Sequence, residues 1–175
     1  DKQWQAERTL AWLYSESPVK DSIVVNDRWA NNTGKKHGDY YTREYSNTNS
    51  SYNKPWEECR GIGLSFGYNQ NEDLGDYTSP KALILTLVNI VSQGGNLLLD
   101  IGPNANGKIP PIMQERLLQI GKWLKVNGES IYGTRYWKVF GEGPTVVPEG
   151  HFTDTYDKHF TSEDIRFTSK SNHIY

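Results

Sequence analysis

Two capped helices with a short apolar run between them occupy residues 79–128 and limit the fold most strongly. Ser79 can cap the first helix, Pro80 fits its first turn, and Gly94 ends it. Residues 96–101 then read as a strand that is apolar along most of its length, and a second helix opens on Pro110-Pro111, runs to Asn127 and closes on Gly128. This alternation predicts an α/β fold whose parallel sheet is buried on both faces.

The first 70 residues repeat the pattern more weakly. Residues 5–15 predict a helix with its apolar side chains on one face, and the apolar run at residues 23–25 predicts a short buried strand. Alternating residues at 41–45 predict a second extended segment, and residues 64–68 predict another strand end. The polar stretches 31–38 and 46–54 are rich in Asn, Ser and Gly and read as loops.

Composition excludes several classes of protein. The formal net charge is -2 without a long basic run, so the sequence predicts no nucleic-acid partner. The longest apolar stretch is interrupted by Thr86 and Asn89, which predicts no membrane span. Cys59 is the single cysteine, so an internal disulfide and a thiolate metal cluster are excluded. The four histidines share no metal-ligand spacing, and we expect neither a metal nor a cofactor; they are His37, His151, His159 and His173.

Carboxylates, an arginine and aromatic rings are concentrated between residues 26 and 68. Carboxylates move protons or attack electrophilic carbon, and arginine holds oxygen-rich ligands through a rigid fork of donors. Aromatic faces cover the apolar side of a sugar ring. The combination suits a sugar site, although a strand end and surface loops of any soluble α/β protein also offer polar and aromatic residues.

Several separated motifs occur in an order that resembles the α-L-fucosidases of glycoside hydrolase family 29. The motifs are Val25-Asn26-Asp27-Arg28-Trp29, Trp56-Glu57, residues 60–68 (RGIGLSFGY), residues 94–103 (GGNLLLDIGP), Gly107, Ile109-Pro110, Trp123-Leu124, Asn127-Gly128 and Ile131-Tyr132-Gly133-Thr134. The likeness covers most of residues 1–137 and implies retaining hydrolysis of terminal α-L-fucose.

The resemblance also implies a (β/α)8-like catalytic barrel followed by a β-sandwich. The chain opens on a predicted helix and has too few strand–helix units for a closed barrel, which needs about 250 residues. We therefore expect the second half of the barrel at residues 1–140 and a linker at residues 141–160. Residues 161–175 are expected to form the first strand or strands of the sandwich, with a disordered tail as the alternative.

Retaining glycosidases use one carboxyl group as nucleophile and a second as acid/base. In the family the nucleophile is an aspartate shortly before the helix that opens this chain, so it is expected upstream, with Asp1 as a weak alternative. The resemblance assigns the acid/base to Glu44, which must hold its proton near neutrality and can be surrounded by Tyr41, Tyr45 and Trp56. The alternative is a solvated carboxylate that pairs with Arg43 or a lysine.

Other residues take their roles from the same resemblance. Arg28 is expected to reach the bound sugar, with a buried salt bridge to Asp27 or Glu57 as the alternative. Phe66 is expected beside the methyl group of fucose, and Trp29 and Trp56 are further candidates for the wall of the site. Glu57 is the alternative acid but reads as mainly structural, and Glu58 as solvated or structural.

Asp100 also ends a predicted strand, but we expect it and Asn104 to hold the turn at residues 102–103.

The expected partners are a fucosylated oligosaccharide or glycoconjugate and the upstream half of the same barrel. Family members are periplasmic or secreted, or lysosomal in animals, and we expect the same here. The alternatives are a non-catalytic sugar-binding or scaffold fragment and a retaining barrel glycosidase of different sugar preference.

Overall fold

A computed structural model describes residues 4–29, 38–47, 54–147, 150–151 and 160–175. Asp1, His37 and His159 lie outside this range, as do most of the two predicted polar loops. The helices are α1 (Ala6–Ser15), α2 (Pro80–Ser92) and α3 (Pro111–Asn127). The strands are β1 (Tyr41–Glu44), β2 (Ser46–Asn47), β3 (Trp56–Gly61), β4 (Gly95–Asp100), β5 (Arg135–Glu142), β6 (Gly150–His151), β7 (Ile165–Lys170) and β8 (His173–Ile174).

A parallel sheet with the strand order β1-β3-β4 forms the centre of the described chain. A parallel bridge from Asn26 to Tyr40 extends it on the β1 side. The predicted strand at residues 23–25 is thus reduced to one bridge at its end, with Val25 buried and Val24 65% exposed. The strand predicted at residues 64–68 is wrong, because these residues form a bend after β3.

The sequence signals at the helix ends are confirmed. The Ser79 hydroxyl accepts a hydrogen bond from the Ala82 N–H, Pro80 occupies the first turn of α2, and Gly94 follows the helix with φ +81°. No helix among the described residues is both long enough and apolar enough to cross a membrane.

The core lies between the sheet and the helices α2 and α3. Its fully buried members are Ile62, Leu83 and Met113, and Leu99 of β4 packs against them. Leu98 points to the other face and is 48% exposed. The prediction of burial on both faces therefore holds for only one face among the described residues, and the other face carries mainly polar side chains.

A second, antiparallel sheet joins β5, β7 and β8. Trp137 and Phe167 meet edge to face across it, with ring centroids 5.5 Å apart. β5 runs through Gly141 and Glu142, the first two residues of the predicted linker. Residues 165–170 and 173–174 are strands, as the strand-like pattern of the tail suggested. The division of the chain into domains stays a prediction.

Asp39 connects α1 to the segment that enters the parallel sheet. It accepts hydrogen bonds from the Tyr14 hydroxyl at 2.7 Å and from the Val25 N–H at 2.8 Å. The bond from Tyr14, followed by that from Val25, lowers the pKa of Asp39, and the same Tyr14–Asp39 bond raises the pKa of Tyr14 to about 12. The ionised form of Asp39 is thus favoured by folding.

We expect Asp39→Asn to destabilise the full-length protein at pH 7 by less than about 1 kcal/mol, because exposed charges are screened. A lowered folded-state pKa stabilises the fold above the pKa of the unfolded chain, about 3.9, and this contribution is lost as the pH falls through the folded-state pKa. The difference from wild type, measured by urea unfolding, should therefore shrink at low pH. Asp21→Asn is the control. If Asp39→Asn lowered the free energy of unfolding equally at pH 7 and at low pH, the expectation would be contradicted.

Candidate active site

The carboxyl ends of the parallel strands bring together residues from four separate segments. Glu44 is the last residue of β1, Gly61 of β3 and Asp100 of β4, and Arg28 follows the bridge at Asn26. Parallel α/β proteins bind ligands at this end of the sheet, because the loops there leave a crevice. This edge is the candidate site.

Glu44 and Arg28 are in direct contact. The Arg28 Nη1 lies 2.7 Å from the Glu44 Oε1. The Arg28 side chain is 49% exposed and the Glu44 side chain 38% exposed. The Arg28 Nε donates to the Thr42 Oγ1 at 2.6 Å. Exposed ion pairs contribute little to the stability of a fold. A role in ligand binding or catalysis therefore explains this ion pair better than a contribution to folding does. Neither contact occupies the Arg28 Nη2.

Asp27 holds the arginine segment against β1. Its Oδ1 accepts from the Thr42 N–H at 2.9 Å and from the Thr42 hydroxyl at 2.8 Å. The Asn26 side chain accepts from the Arg28 N–H at 3.1 Å, which closes a turn at the end of the bridge. Arg28 is thus in an exposed ion pair with Glu44.

The strand register places several ionisable groups on the same face as Glu44. Glu44 pairs with Cys59, Thr42 with Glu57, and Gly61 with Asp100. Because side chains alternate along a strand, Glu57, Cys59 and Asp100 share this face. Burial raises the pKa of the Cys59 thiol, the charges of Asp100, Glu44 and Glu57 raise it further, and Arg28 opposes them. The face is therefore acidic.

Tyr45 links the end of β1 to the loop that follows β3. Its ring meets the ring of Phe66 edge to face, with centroids 5.0 Å apart. Its hydroxyl accepts from the Gly61 N–H at 2.8 Å. A Cβ on Gly61 would lie 2.2 Å from the Ser65 carbonyl oxygen, so only glycine allows the sharp bend that carries Phe66. Phe66 is half-buried next to the residue after Glu44.

Trp56 is not part of this site. It is 3% exposed, its Nε1 donates to the Gln93 carbonyl at 3.3 Å, and it pairs with Tyr41 at the amino end of β1. Three residues of strand separate that position from Glu44, which is about 10 Å. The prediction that Trp56 forms a wall of the sugar site is therefore wrong. Trp29 follows Arg28 directly and is half-buried.

The remaining carboxylates divide into two groups. Glu57 and Asp100 are half-buried on the face of Glu44, whereas Glu58 is completely buried on the opposite face. For Glu58 the structural alternative holds, and the solvated one does not. Asn104 accepts from the Asn106 and Lys108 N–H groups, both at 3.0 Å, and thus orders the loop after the turn at residues 102–103.

Sequence reasoning passed over Thr42, Asp27 and Glu58 as contributors to the site. Thr42 precedes Glu44 by two residues and therefore shares its face, which was a readable signal. The contact between Thr42 and Asp27 depends on the bridge between Asn26 and Tyr40, and no local pattern in the sequence predicts that pairing. Among the described residues, no three His, Cys, Asp or Glu side chains are arranged to hold a metal ion.

Comparison with known proteins gives consistent matches. The family model described as Alpha-L-fucosidase matches residues 1–129. A plasma alpha-L-fucosidase of Rattus norvegicus is 45% identical over 160 residues, which are 90% of this chain and 34% of the relative. The chain thus spans about a third of the length of the curated relatives it matches.

Two solved structures extend the similarity to the fold. Thermotoga maritima alpha-fucosidase in complex with a mechanism-based inhibitor has a TM-score of 0.74 at 39% identity, and the match covers 97% of this chain and 34% of that one. A GH29 alpha-L-fucosidase of Bacteroides thetaiotaomicron, solved as a trapped covalent intermediate with 2-fluoro-fucosyl fluoride, has a TM-score of 0.64 at 26% identity, over 76% of this chain and 33% of that one.

Proposed function

We propose that this chain, which belongs to the alpha-L-fucosidase family, carries the acid/base side of a retaining exo-α-L-fucosidase that removes terminal α-L-fucose from glycoconjugates. The observation that carries the proposal is the contact between Glu44 and Arg28 at the carboxyl ends of parallel strands. The family match across residues 1–129 supports the choice of sugar.

The proposed reaction is a double displacement. Glu44, in its protonated form, donates a proton to the glycosidic oxygen while an aspartate N-terminal to Asp1 attacks the anomeric carbon, so the alcohol leaves and a fucosyl ester forms. Glu44, now a carboxylate, removes a proton from water, and the resulting hydroxide displaces the aspartate and releases fucose. The relative solved as a trapped covalent intermediate supports this route.

Arg28 and Phe66 are proposed to bind the sugar from opposite sides. The Arg28 Nη1 and Nε hold Glu44 and Thr42, and the Nη2 is directed to a sugar oxygen or to the nucleophile. Phe66 offers an apolar surface to the C6 methyl group, which distinguishes a 6-deoxy sugar from one with a hydroxyl there. Trp29, next to Arg28, is a further candidate for the wall.

The parallel sheet is proposed to be the second half of a (β/α)8-like barrel, and its exposed acidic face the interior that the upstream half completes. The antiparallel sheet of β5, β7 and β8 is proposed to begin the β-sandwich. Glu57 is proposed to have a structural role, with acid catalysis as its alternative. By analogy with the family, we propose a secreted, periplasmic or lysosomal protein.

The test is hydrolysis by the full-length protein of 4-nitrophenyl α-L-fucoside beside the corresponding α-L-rhamnoside, β-D-galactoside and β-L-fucoside. We expect turnover of the α-L-fucoside, because Phe66 and Arg28 suit that sugar. Proton NMR of the first product should show α-L-fucose before mutarotation, because two displacements retain the configuration. Binding of fucose without turnover would support a non-catalytic sugar-binding fragment, and turnover of another glycoside would support a different specificity.

A further inference from the structure

Glu58 is a completely buried carboxylate in the middle of β3. It lies on the opposite face of the sheet from Glu44, the face on which Trp56 and Leu99 pack towards the helices. Burying a charge without partners is costly, so a carboxylate in this place must have donors directed at it. The identity of those donors indicates the role of Glu58.

Three donors converge on the Glu58 carboxylate. The Ser46 N–H and hydroxyl donate at 2.8 and 3.1 Å, and the Arg60 Nη2 donates at 2.8 Å. Ser46 and Arg60 are themselves 5% and 7% exposed, so these bonds are shielded from water. Two of the three donors belong to the residue that lies two positions after Glu44.

The chain between Glu44 and Ser46 adopts a conformation that needs external support. Tyr45 has φ +45°, in the left-handed region that bulky residues rarely occupy. Such a residue persists only where its surroundings determine the backbone. The hydrogen bond from the Tyr45 N–H to the Cys59 carbonyl oxygen is long, at 3.4 Å, so the 2.8 Å bond from the Ser46 N–H to Glu58 is the shorter of these two backbone attachments of the turn to β3.

The same cluster fixes the ring of Tyr45. The Arg60 guanidinium carbon lies 5.6 Å from the centroid of that ring, and Glu58 holds the guanidinium in place. The same ring also packs against Phe66. A single carboxylate thus connects the backbone beside the candidate acid/base with the aromatic residue beside the candidate sugar pocket.

We propose that Glu58 is a positioning residue for acid/base catalysis, which anchors the turn at residues 45–46 from behind the sheet and thereby fixes Glu44. This inference rests on the proposed function. Displacing a general acid by about 1 Å can cost about 10²-fold in rate, because proton transfer needs hydrogen-bond geometry. Glu58 itself touches neither the sugar nor the leaving group.

The test is Glu58→Gln in the full-length protein, assayed with methyl α-L-fucoside and 2,4-dinitrophenyl α-L-fucoside. The parameter kcat/KM reports formation of the fucosyl-enzyme, which needs a proton donor only for the poor leaving group. We expect kcat/KM to fall about 10²-fold for the methyl fucoside and little for the dinitrophenyl fucoside. The kcat for the dinitrophenyl fucoside should fall and be restored by azide, which needs no general base.

A merely structural role would lower both kcat/KM values by the same factor, and that result, or no loss for either substrate, would overturn the proposal. Asn89→Ala is the matched control, because the buried Asn89 side chain accepts from the Arg166 Nε at 3.0 Å in a different part of the fold. It should lower thermal stability and leave the ratio of the two kcat/KM values unchanged.

If Glu58→Gln does not fold, the double variant Glu58→Leu/Arg60→Leu decides by the same ratio, because apolar pairs often replace buried ion pairs without loss of stability. Glu44→Ala is measured in parallel to separate the two hypotheses. A selective loss in Glu44→Ala but not in the Glu58 variants overturns the positioning role alone. Absence of a selective loss in Glu44→Ala overturns the acid/base assignment, on which the positioning role rests.

Discussion

Replacing Glu44 by alanine in the full-length protein is expected to lower kcat/KM for methyl α-L-fucoside by about 10²- to 10⁴-fold, the usual contribution of a general acid. The loss for 2,4-dinitrophenyl α-L-fucoside should be far smaller, because dinitrophenolate leaves without a proton. Deglycosylation should then limit kcat, since no base activates water. Added azide should restore kcat and give fucosyl azide with the anomeric configuration of the substrate.

Glu57→Ala is the matched control for this experiment. Glu57 is half-buried on the same face as Glu44 and lies on the neighbouring strand. Its replacement by alanine therefore removes a carboxyl group from the site, as Glu44→Ala does. We expect Glu57→Ala to lower kcat/KM for methyl α-L-fucoside less than Glu44→Ala does. The loss should be by a similar factor for both substrates. If Glu57→Ala shows the selective loss and the azide rescue while Glu44→Ala does not, then Glu57 is the acid/base and our assignment is wrong.

Replacing Arg28 by lysine is expected to lower kcat/KM by about 10²-fold for both fucosides, whatever the leaving group. The Arg28 Nη1 and Nε are engaged by Glu44 and Thr42, which leaves the Nη2 for the proposed contact to the sugar, and the single ammonium of lysine cannot supply that further donor. The loss should be independent of the leaving group because Arg28 is proposed to act on the sugar and not on the departing alcohol.

Arg43→Lys is the control for Arg28→Lys. Arg43 is next to Glu44 in sequence but lies over the ring of Trp56, 5.9 Å from its centroid, on the other face of the sheet. We expect this variant to retain wild-type kcat/KM for both substrates. Full activity of Arg28→Lys, or a loss confined to methyl α-L-fucoside, would contradict the proposed role of Arg28 at the sugar.

Much of the fold could be read from local signals. Ser79, Pro80 and Gly94 marked α2, because capping chemistry is confined to a few neighbouring residues. The strand at residues 135–142 was missed, because glycines at 141 and 143 resembled a linker. A bulge within its pairing with β7 accommodates the irregular pattern, and pairing with a distant strand overrides the local signal.

The candidate site was less accessible to sequence reasoning. Glu44 and Arg28 were nominated by resemblance, and no rule of spacing brings a residue at a strand end and a residue in a separate turn to a distance of 2.7 Å. Trp56 was misplaced because its motif is recognisable whichever end of the strand it occupies. Glu58 follows Trp56 by two residues and precedes Arg60 by two, so alternation put all three on the buried face. That pattern could have identified it.

The antiparallel pairing of β2 with β6 has a consequence for biosynthesis. Ser46 pairs with His151 and Asn47 with Gly150, so about a hundred residues separate the two partners. Contacts between distant segments form late, because a large loop must close first. On a translating ribosome, the pairing of β2 with β6 therefore waits for residue 151 to leave the exit tunnel, whereas the Ser46 bonds to Glu58 can form as soon as residue 58 has emerged.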